Sequence, residues 1–195
     1  VELVKIRTKG DKIIDAPLSK VGGKGLFVKE IEEALLKREV DLAVHSLKDV
    51  PAELHKGLQL SVYPKREDPR DALVSSLFRK VEDLPQGASV GTSSLRRSAQ
   101  LLHMRPDLRI APLRGNVDTR LRKLDSGDLQ AIVLAAAGLQ RLGLSDRITA
   151  LLSPDSVLPA IGQGVLGMEV REDDHKTQNL ISFLNDSETE LAVRA

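Results

Sequence analysis

Apolar positions along this chain follow two spacings. Within residues 26–38, Phe27, Ile31 and Leu35 recur every fourth position, which predicts a helix with one buried face. Glu30, Glu32 and Glu33 precede Lys37 and Arg38, the order that the helix dipole favours. Apolar runs at 1–7 and 40–45 flank it and predict strands, so the order strand, helix, strand predicts a parallel crossover. Leu58, Leu60 and Val62 alternate, as in a strand with one buried face. From Ala88 one unit repeats. Strands are predicted at 88–91, 108–112 and 130–135, and helices at 93–104, at 117–124 and, after the third strand, over a short stretch to Leu142. On the first of these helices Leu95, Ala99 and Leu102 share a face, and Pro106 stops it. Asn116 suits the cap of the second, and Gly127 lies just beyond its end. Such a run predicts a doubly wound α/β domain. A further strand is predicted at 165–170 and a helix at 177–195.

The stretches between these elements divide the chain. Residues 63–71 are charged, broken by Pro64 and Pro69, and without periodicity, and 158–164 form a second such connection. Two connections around one α/β unit predict an inserted domain. The expected layout is a first domain of residues 1–65 and 165–185 and a second of 66–164. The fold class is therefore α/β, two domains with mixed or parallel sheets and two hinge crossovers. Composition excludes several functions. The 195 residues are 41% hydrophobic and 29% charged, ordinary for a globular chain. No apolar run reaches the roughly 20 residues of a membrane span. Net charge is +1 and aromatics make up 2%, so neither a basic field nor base stacking argues for nucleic acid. Cysteine is absent, which removes thiolate chemistry and disulfides and makes the cytoplasm the default compartment. No metal-ligand pattern stands out. Val1 opens inside an expected strand, which suggests a chain missing its beginning.

Chemistry gathers at strand ends. Residues 41–51 begin as an apolar run and end in Ser46, Lys48 and Asp49 before Pro51. Ligands of open α/β sheets sit at the carboxyl ends of strands, which is where this one would deliver Asp49. His45, also at a strand end, is expected to be a hydrogen-bonded structural residue. Gly22, Gly23 and Gly25 around Lys24 form a flexible loop, which lacks the Gly-Lys-Ser/Thr ending of a phosphate-binding P-loop. In the second domain, three strand ends lead into Ser94-Leu95-Arg96-Arg97, into Arg114 with Arg120 a turn into the next helix, and into Arg141. Helix N-termini and planar guanidinium groups both suit anions. Between Thr92 and Arg141 there are eight Arg and one Lys against four Asp. Arg105, Arg109 and Arg122 are read as solvated, and Arg96, Arg97, Arg114, Arg120 and Arg141 as an anion-binding edge. The expected site is a cleft with Asp49 and Lys48 on one side and these arginines on the other. A carboxylate beside a cationic substrate atom suits proton transfer and stabilisation of positive charge.

These residues resemble the porphobilinogen deaminase (hydroxymethylbilane synthase) family along the whole chain. The segments that carry the likeness are His45–Pro51, Val21–Phe27, Arg66–Asp71, Gly91–Arg97, Leu113–Val117 and Leu158–Gly164. The resemblance implies a fold like the two-domain periplasmic binding proteins plus a third small domain. Residues 186–195 would open that third domain, which is otherwise absent. It implies head-to-tail joining of four porphobilinogen molecules, with loss of ammonia, in porphyrin biosynthesis. It assigns Asp49 the protonation of the leaving amine and the stabilisation of an azafulvene-like cation. Arg96, Arg97, Arg114, Arg120, Arg141, Ser94 and Lys48 would bind the acetate and propionate groups, and Ser46 and Gln163 would be further substrate- or cofactor-binding residues. Gly22, Gly23, Lys24, Gly25 and Phe27 would form an active-site loop. The family carries a dipyrromethane primer on a cysteine, and this sequence has none. The expectation is thus an active full-length enzyme, a monomer, and an inactive 195-residue chain. The competing reading is a non-catalytic module that closes on a polycarboxylate, and a weaker one is a phosphate-binding protein.

Overall fold

The computed structural model describes residues 1–6, 8 and 28–195. In chain order its elements are α1 (Lys29–Leu36), β1 (Ala43–Ser46), β2 (Leu58–Val62), β3 (Asp71–Val74), β4 (Ser89–Gly91), α2 (Leu95–Met104), β5 (Arg109–Ala111), α3 (Val117–Asp125), β6 (Ala131–Ala135), α4 (Ala136–Arg141), β7 (Ala150–Leu151), β8 (Leu166–Arg171), α5 (His175–Ile181) and α6 (Ser187–Arg194). They divide into two compact units, Val1–Arg66 with Val165–Ala195, and Glu67–Gly164.

Unit 1 holds a three-stranded sheet in the order β1-β8-β2, with both outer strands antiparallel to β8. The expected parallel crossover from residues 1–7 is not what the described residues form. Residues 1–6 adopt no strand, and Val1, Leu3 and Val4 are exposed. The strand that lies beside β1 comes instead from the far end of the chain. α1 buries Leu35 against Ala43 and Leu58, with Ile31 and Val40 alongside. Arg171, the last residue of β8, braces this corner. It donates to Leu35 O (2.9 Å) and Val40 O (2.7 Å) and pairs with Asp174 (2.6 Å). A cation at those carbonyls suits the negative end of the α1 dipole. The single helix expected at 177–195 is broken. Asn185 Oδ1 accepts from Tyr63 N (2.9 Å), and Asp186 caps α6 by accepting from Thr189 N (2.8 Å). Asp side chains at a cap compete with helix continuation, which is why the break falls there. Residues 186–195 group with unit 1, and buried Thr189 accepts from Arg66 N (3.0 Å).

Unit 2 holds a five-stranded sheet in the order β5-β4-β6-β3-β7. β5, β4 and β6 are parallel, as their alternation with helices requires. Alternate residues of the central strands feed two cores. Leu73, Val90 and Val133 join Leu101 of α2 on one face, while Val74, Ile132 and Leu134 join Leu121 and Leu139 of α3 and α4 on the other. Helices on both faces make this a doubly wound unit, and each such buried side chain contributes about 1.5–3 kcal/mol. Asn116 caps α3 by accepting from Thr119 N (2.9 Å), and Gly127 follows its end at φ 87°.

Two readings of unit 2 need correction. The connection expected to run to Asp71 stops earlier, because Asp71–Val74 is the fully buried strand β3, antiparallel to β6 and β7. The face of α2 is also different. Leu95, Ala99 and Leu102 are exposed, and the buried residues are Arg97 and Leu101. Helical spacing fits both stripes, and the arginine, which periodicity counts as polar, is the residue drawn inside.

Candidate functional site

In unit 1 the chemistry follows β1. Its pattern alternates, with Ala43 and His45 buried and Val44 and Ser46 exposed. Leu47 N donates to Val165 O (3.0 Å), which ties the strand end to the neighbouring segment. Leu47–Asp49 then forms one 3₁₀ turn, closed by Val50 N to Leu47 O (3.1 Å). Val50 is extended, as the residue before Pro51 must be, so the turn cannot continue. It therefore ends with Lys48 and Asp49 exposed. Asp49 and Ser46 border a cavity of about 260 Å³, along with His45 and Thr8, and Val28, Ile31 and Val44 supply an apolar wall. Inside, His45 Nε2 lies 2.8 Å from Glu169 Oε2 on β8, and their side chains are 5% and 0% exposed. The residues Gly22, Gly23, Lys24, Gly25 and Phe27 lie outside the described residues.

In unit 2 the topology brings the arginine-bearing turns to one edge. β4, β5 and β6 are parallel, so the turns that follow them share the carboxyl edge of the sheet. Ser93 Oγ donates to Leu113 O (3.1 Å) and accepts from Leu113 N (3.0 Å), tying two of these turns together. β3 runs the other way, and its first residue Asp71 pairs with Ala135, the last of β6. An antiparallel strand thus delivers a buried carboxylate to the arginine edge. Arg97 Nε and Nη2 donate to Asp71 Oδ1 (3.0 and 2.7 Å), and its Nη1 donates to Val133 O (3.1 Å). Gln163 Nε2 donates to Asp71 Oδ1 (2.9 Å) and to Pro69 O (2.6 Å). Arg96 Nη1 stands 2.8 Å from Asp71 Oδ2, an ion pair rather than an aligned hydrogen bond, since Oδ2 has no aligned donor. Arg96 also donates to Leu158 O, and its side chain stays 25% exposed. Burial pushes the Asp71 carboxyl up, but the guanidinium groups of Arg96 and Arg97 more than offset this and hold it below the usual carboxylate range.

The remaining candidates sit on backbone carbonyls. Arg120 Nε donates to Gly115 O (2.7 Å) and Arg141 Nη2 to Gly164 O (2.7 Å). Gly164 also accepts from Glu67 N (3.1 Å), so the two ends of unit 2 lie side by side. A Cβ on Gly164 would stand 2.5 Å from Glu67 O, and its φ of 88° also favours glycine. Arg114 is half-buried, and Ser94 caps α2 by accepting from Arg97 N (3.4 Å). Arg97 and Gln163, expected to face a ligand, are thus directed onto Asp71. Asp71 and Glu169 are the residues that sequence reasoning missed. The available signals were a charged residue heading the apolar run Ala72-Leu73-Val74 and a glutamate inside the apolar strand 165–170. Among the described residues no cluster of three or more His, Asp or Glu could hold a metal ion, and no helix is long and apolar enough to cross a membrane.

This fold is that of the two-domain substrate-binding proteins. A periplasmic substrate-binding protein of an ABC transporter from Coxiella burnetii matches with a TM-score of 0.53 at 19% identity, over 84% of this chain and 78% of its own. A nutrient-binding protein from Burkholderia cenocepacia matches with a TM-score of 0.54 at 18% identity, over 84% and 78%. Sequence comparison is more specific. The family model described as porphobilinogen deaminase, dipyromethane cofactor binding domain, matches residues 1–179. The porphobilinogen deaminases of Syntrophotalea carbinolica and Syntrophobacter fumaroxidans are 64% and 59% identical over all 195 residues. The chain belongs to the porphobilinogen deaminase family. It spans 62% and 63% of the length of those two curated relatives. For the dipyrromethane cofactor, the arginine edge suits its carboxylates, but a covalent link through sulfur has no residue here, since the sequence has no cysteine.

Proposed function

We propose that this chain supplies the catalytic carboxylate and the carboxylate-binding arginines of a hydroxymethylbilane synthase, which joins porphobilinogen units with loss of ammonia. The observation that carries this reading is Asp49, exposed on its turn at the mouth of a partly apolar cavity, in a chain of that family. Asp49 delivers a proton to the leaving amine. The carboxylate left behind stabilises the azafulvene-like cation, until the α-carbon of the next pyrrole attacks and sheds its proton. Positive charge beside an anionic oxygen at a shielded site lowers the barrier most where the carboxylate is already in place. Arg96, Arg114, Arg120 and Arg141, with Lys48, Ser46 and Ser94, bind the acetate and propionate groups. Arg97 and Gln163 act one step removed, by fixing Asp71 beneath Arg96. When bound, dipyrromethane supplies the acceptor end on which the chain of pyrroles grows. The protein works as a monomer in the cytoplasm on a small pyrrole, without nucleic acid or membrane partners.

The test is ammonia release from porphobilinogen by the protein carrying this chain, compared with its Asp49→Asn variant. Loss of release with retained porphobilinogen binding is the expected result. Undiminished release in the variant would overturn the role of Asp49. Calorimetry on the wild-type chain decides between turnover and the polycarboxylate-binding reading. Binding without any ammonia release by the complete protein would favour the binding module.

A further inference from the structure

The His45–Glu169 pair is buried, titratable and not used by the reaction as set out above. Its placement follows from the sheet register. Ala43 stands opposite Glu169 and His45 opposite Gly167, so His45 and Glu169 are diagonal neighbours on one face of the β1–β8 ladder. Among the described residues only one ring nitrogen is engaged, since Nε2 meets Glu169 and no partner faces Nδ1. Glu169 Oε1 is also buried without a partner. His45 borders the same cavity as Asp49 and Ser46. A carboxylate behind an imidazole fixes the ring and its proton on one side and leaves the opposite nitrogen for a ligand.

We propose that His45, oriented by Glu169, is a further ligand-contacting residue of the Asp49 cavity and presents Nδ1 to the N–H groups of a bound aminomethylpyrrole. The identity of the ligand rests on the function proposed above, whereas the contact itself rests on the cavity. The lining selects the end of the molecule that enters. Two carboxylates, Asp49 at the rim and Glu169 beneath, repel acetate and propionate but welcome a pyrrole N–H or an ammonium. Val28, Ile31 and Val44 suit a flat ring. At about 260 Å³ the cavity falls below the roughly 300–1,000 Å³ of drug-sized pockets, so it takes one ring rather than a chain of them. His45 thus orients the amine end beside Asp49.

The test is nitrogen NMR on the 195-residue chain with ¹⁵N-labelled histidine, titrated first with porphobilinogen and then with 2-(aminomethyl)pyrrole, which has no carboxylates. His45 is one of four histidines, and its signals are assigned by their loss in His45→Gln. The expected result is a saturable shift of His45 Nδ1 with both ligands and a smaller change at Nε2. His45→Gln keeps a donor that reaches Glu169 but has no polar atom at the Nδ1 position. It should melt near the wild type and bind 2-(aminomethyl)pyrrole about tenfold or more weakly. His45→Asn keeps an atom near the Nδ1 position and should recover part of that affinity. A shift with aminomethylpyrrole but no binding of porphobilinogen would sink the proposed function and leave this contact standing. An Nδ1 signal that neither ligand moves, or wild-type affinity in His45→Gln, would overturn the contact itself.

Discussion

Among the described residues each unit hides one carboxylate completely, and the two are treated differently. Asp71 and Glu169 are both 0% exposed. Asp71 receives three hydrogen bonds at one oxygen and an ion pair at the other, from two arginines and a glutamine. Glu169 meets one imidazole, and its second oxygen has no partner. A buried carboxylate faced by a cation at each oxygen is a brace, since removing it would leave buried positive charge stranded. An under-served buried carboxylate marks a place where structure has been compromised for something else. The brace lies under the edge proposed to bind substituents, whose geometry must not change. The under-served pair lies beneath the cavity where bonds are proposed to be made and broken.

The largest effect should come from removing the brace. Asp71→Ala leaves the Arg97 guanidinium buried beside an empty site, and unit 2 should lose about 3–5 kcal/mol in urea unfolding. The double variant Asp71→Leu with Arg97→Met should recover much of that loss, because two apolar side chains replace two charges. A cost below about 1 kcal/mol for Asp71→Ala would remove the contrast drawn here. The pH dependence should follow the same residue. Its folded pKa is depressed below the ordinary 3.8, despite burial, by Arg96 and Arg97. A depressed carboxyl stabilises the fold at pH values above its unfolded pKa. That contribution is lost as pH falls through the lower folded value. Urea midpoints should therefore drop below about pH 4 in the wild type, and the drop should be shallower in Asp71→Asn.

Glu169→Gln is the matched test in the other unit, and its cost should be smaller, about 1–2 kcal/mol. The imidazole keeps a hydrogen-bonding partner, and the amide brings a donor to a position where no bond existed. A cost as large as that of Asp71→Ala would mean that Glu169 is a brace too.

The same contrast explains what the sequence could and could not reveal. The α/β run from Ser89 to Arg141 was legible because apolar strands and capped helices follow local rules, with Asn116 and Gly127 in their expected places. The antiparallel sheet of unit 1 was not, because β1 and β2 find their shared neighbour β8 more than a hundred residues away. Asp71 was hidden by its surroundings, since a charged residue after Pro69 and Arg70 reads as connection rather than as the head of a buried strand. Arg97 was hidden by its charge, which made the opposite stripe of α2 look like the buried one. Both errors have one cause. Periodicity ranks residues by hydropathy, and a buried ion pair places its charges where hydropathy puts none. Asp49 was easier to single out, because an exposed carboxylate at a strand end before a proline needs no distant partner to be noticed.

The smallest effect on stability should fall at the residue with the largest proposed effect on chemistry. Asp49 is exposed on a single 3₁₀ turn that is closed by backbone atoms, Val50 N to Leu47 O at 3.1 Å. Exposed carboxylates with ionic partners are worth no more than about 1 kcal/mol to a fold. Asp49→Asn should therefore unfold within that margin of the wild type, while ammonia release from porphobilinogen falls by orders of magnitude. A stability loss rivalling that of Asp71→Ala would place Asp49 among the braces. Its exposure would then have to be read as one state of a turn that closes inward.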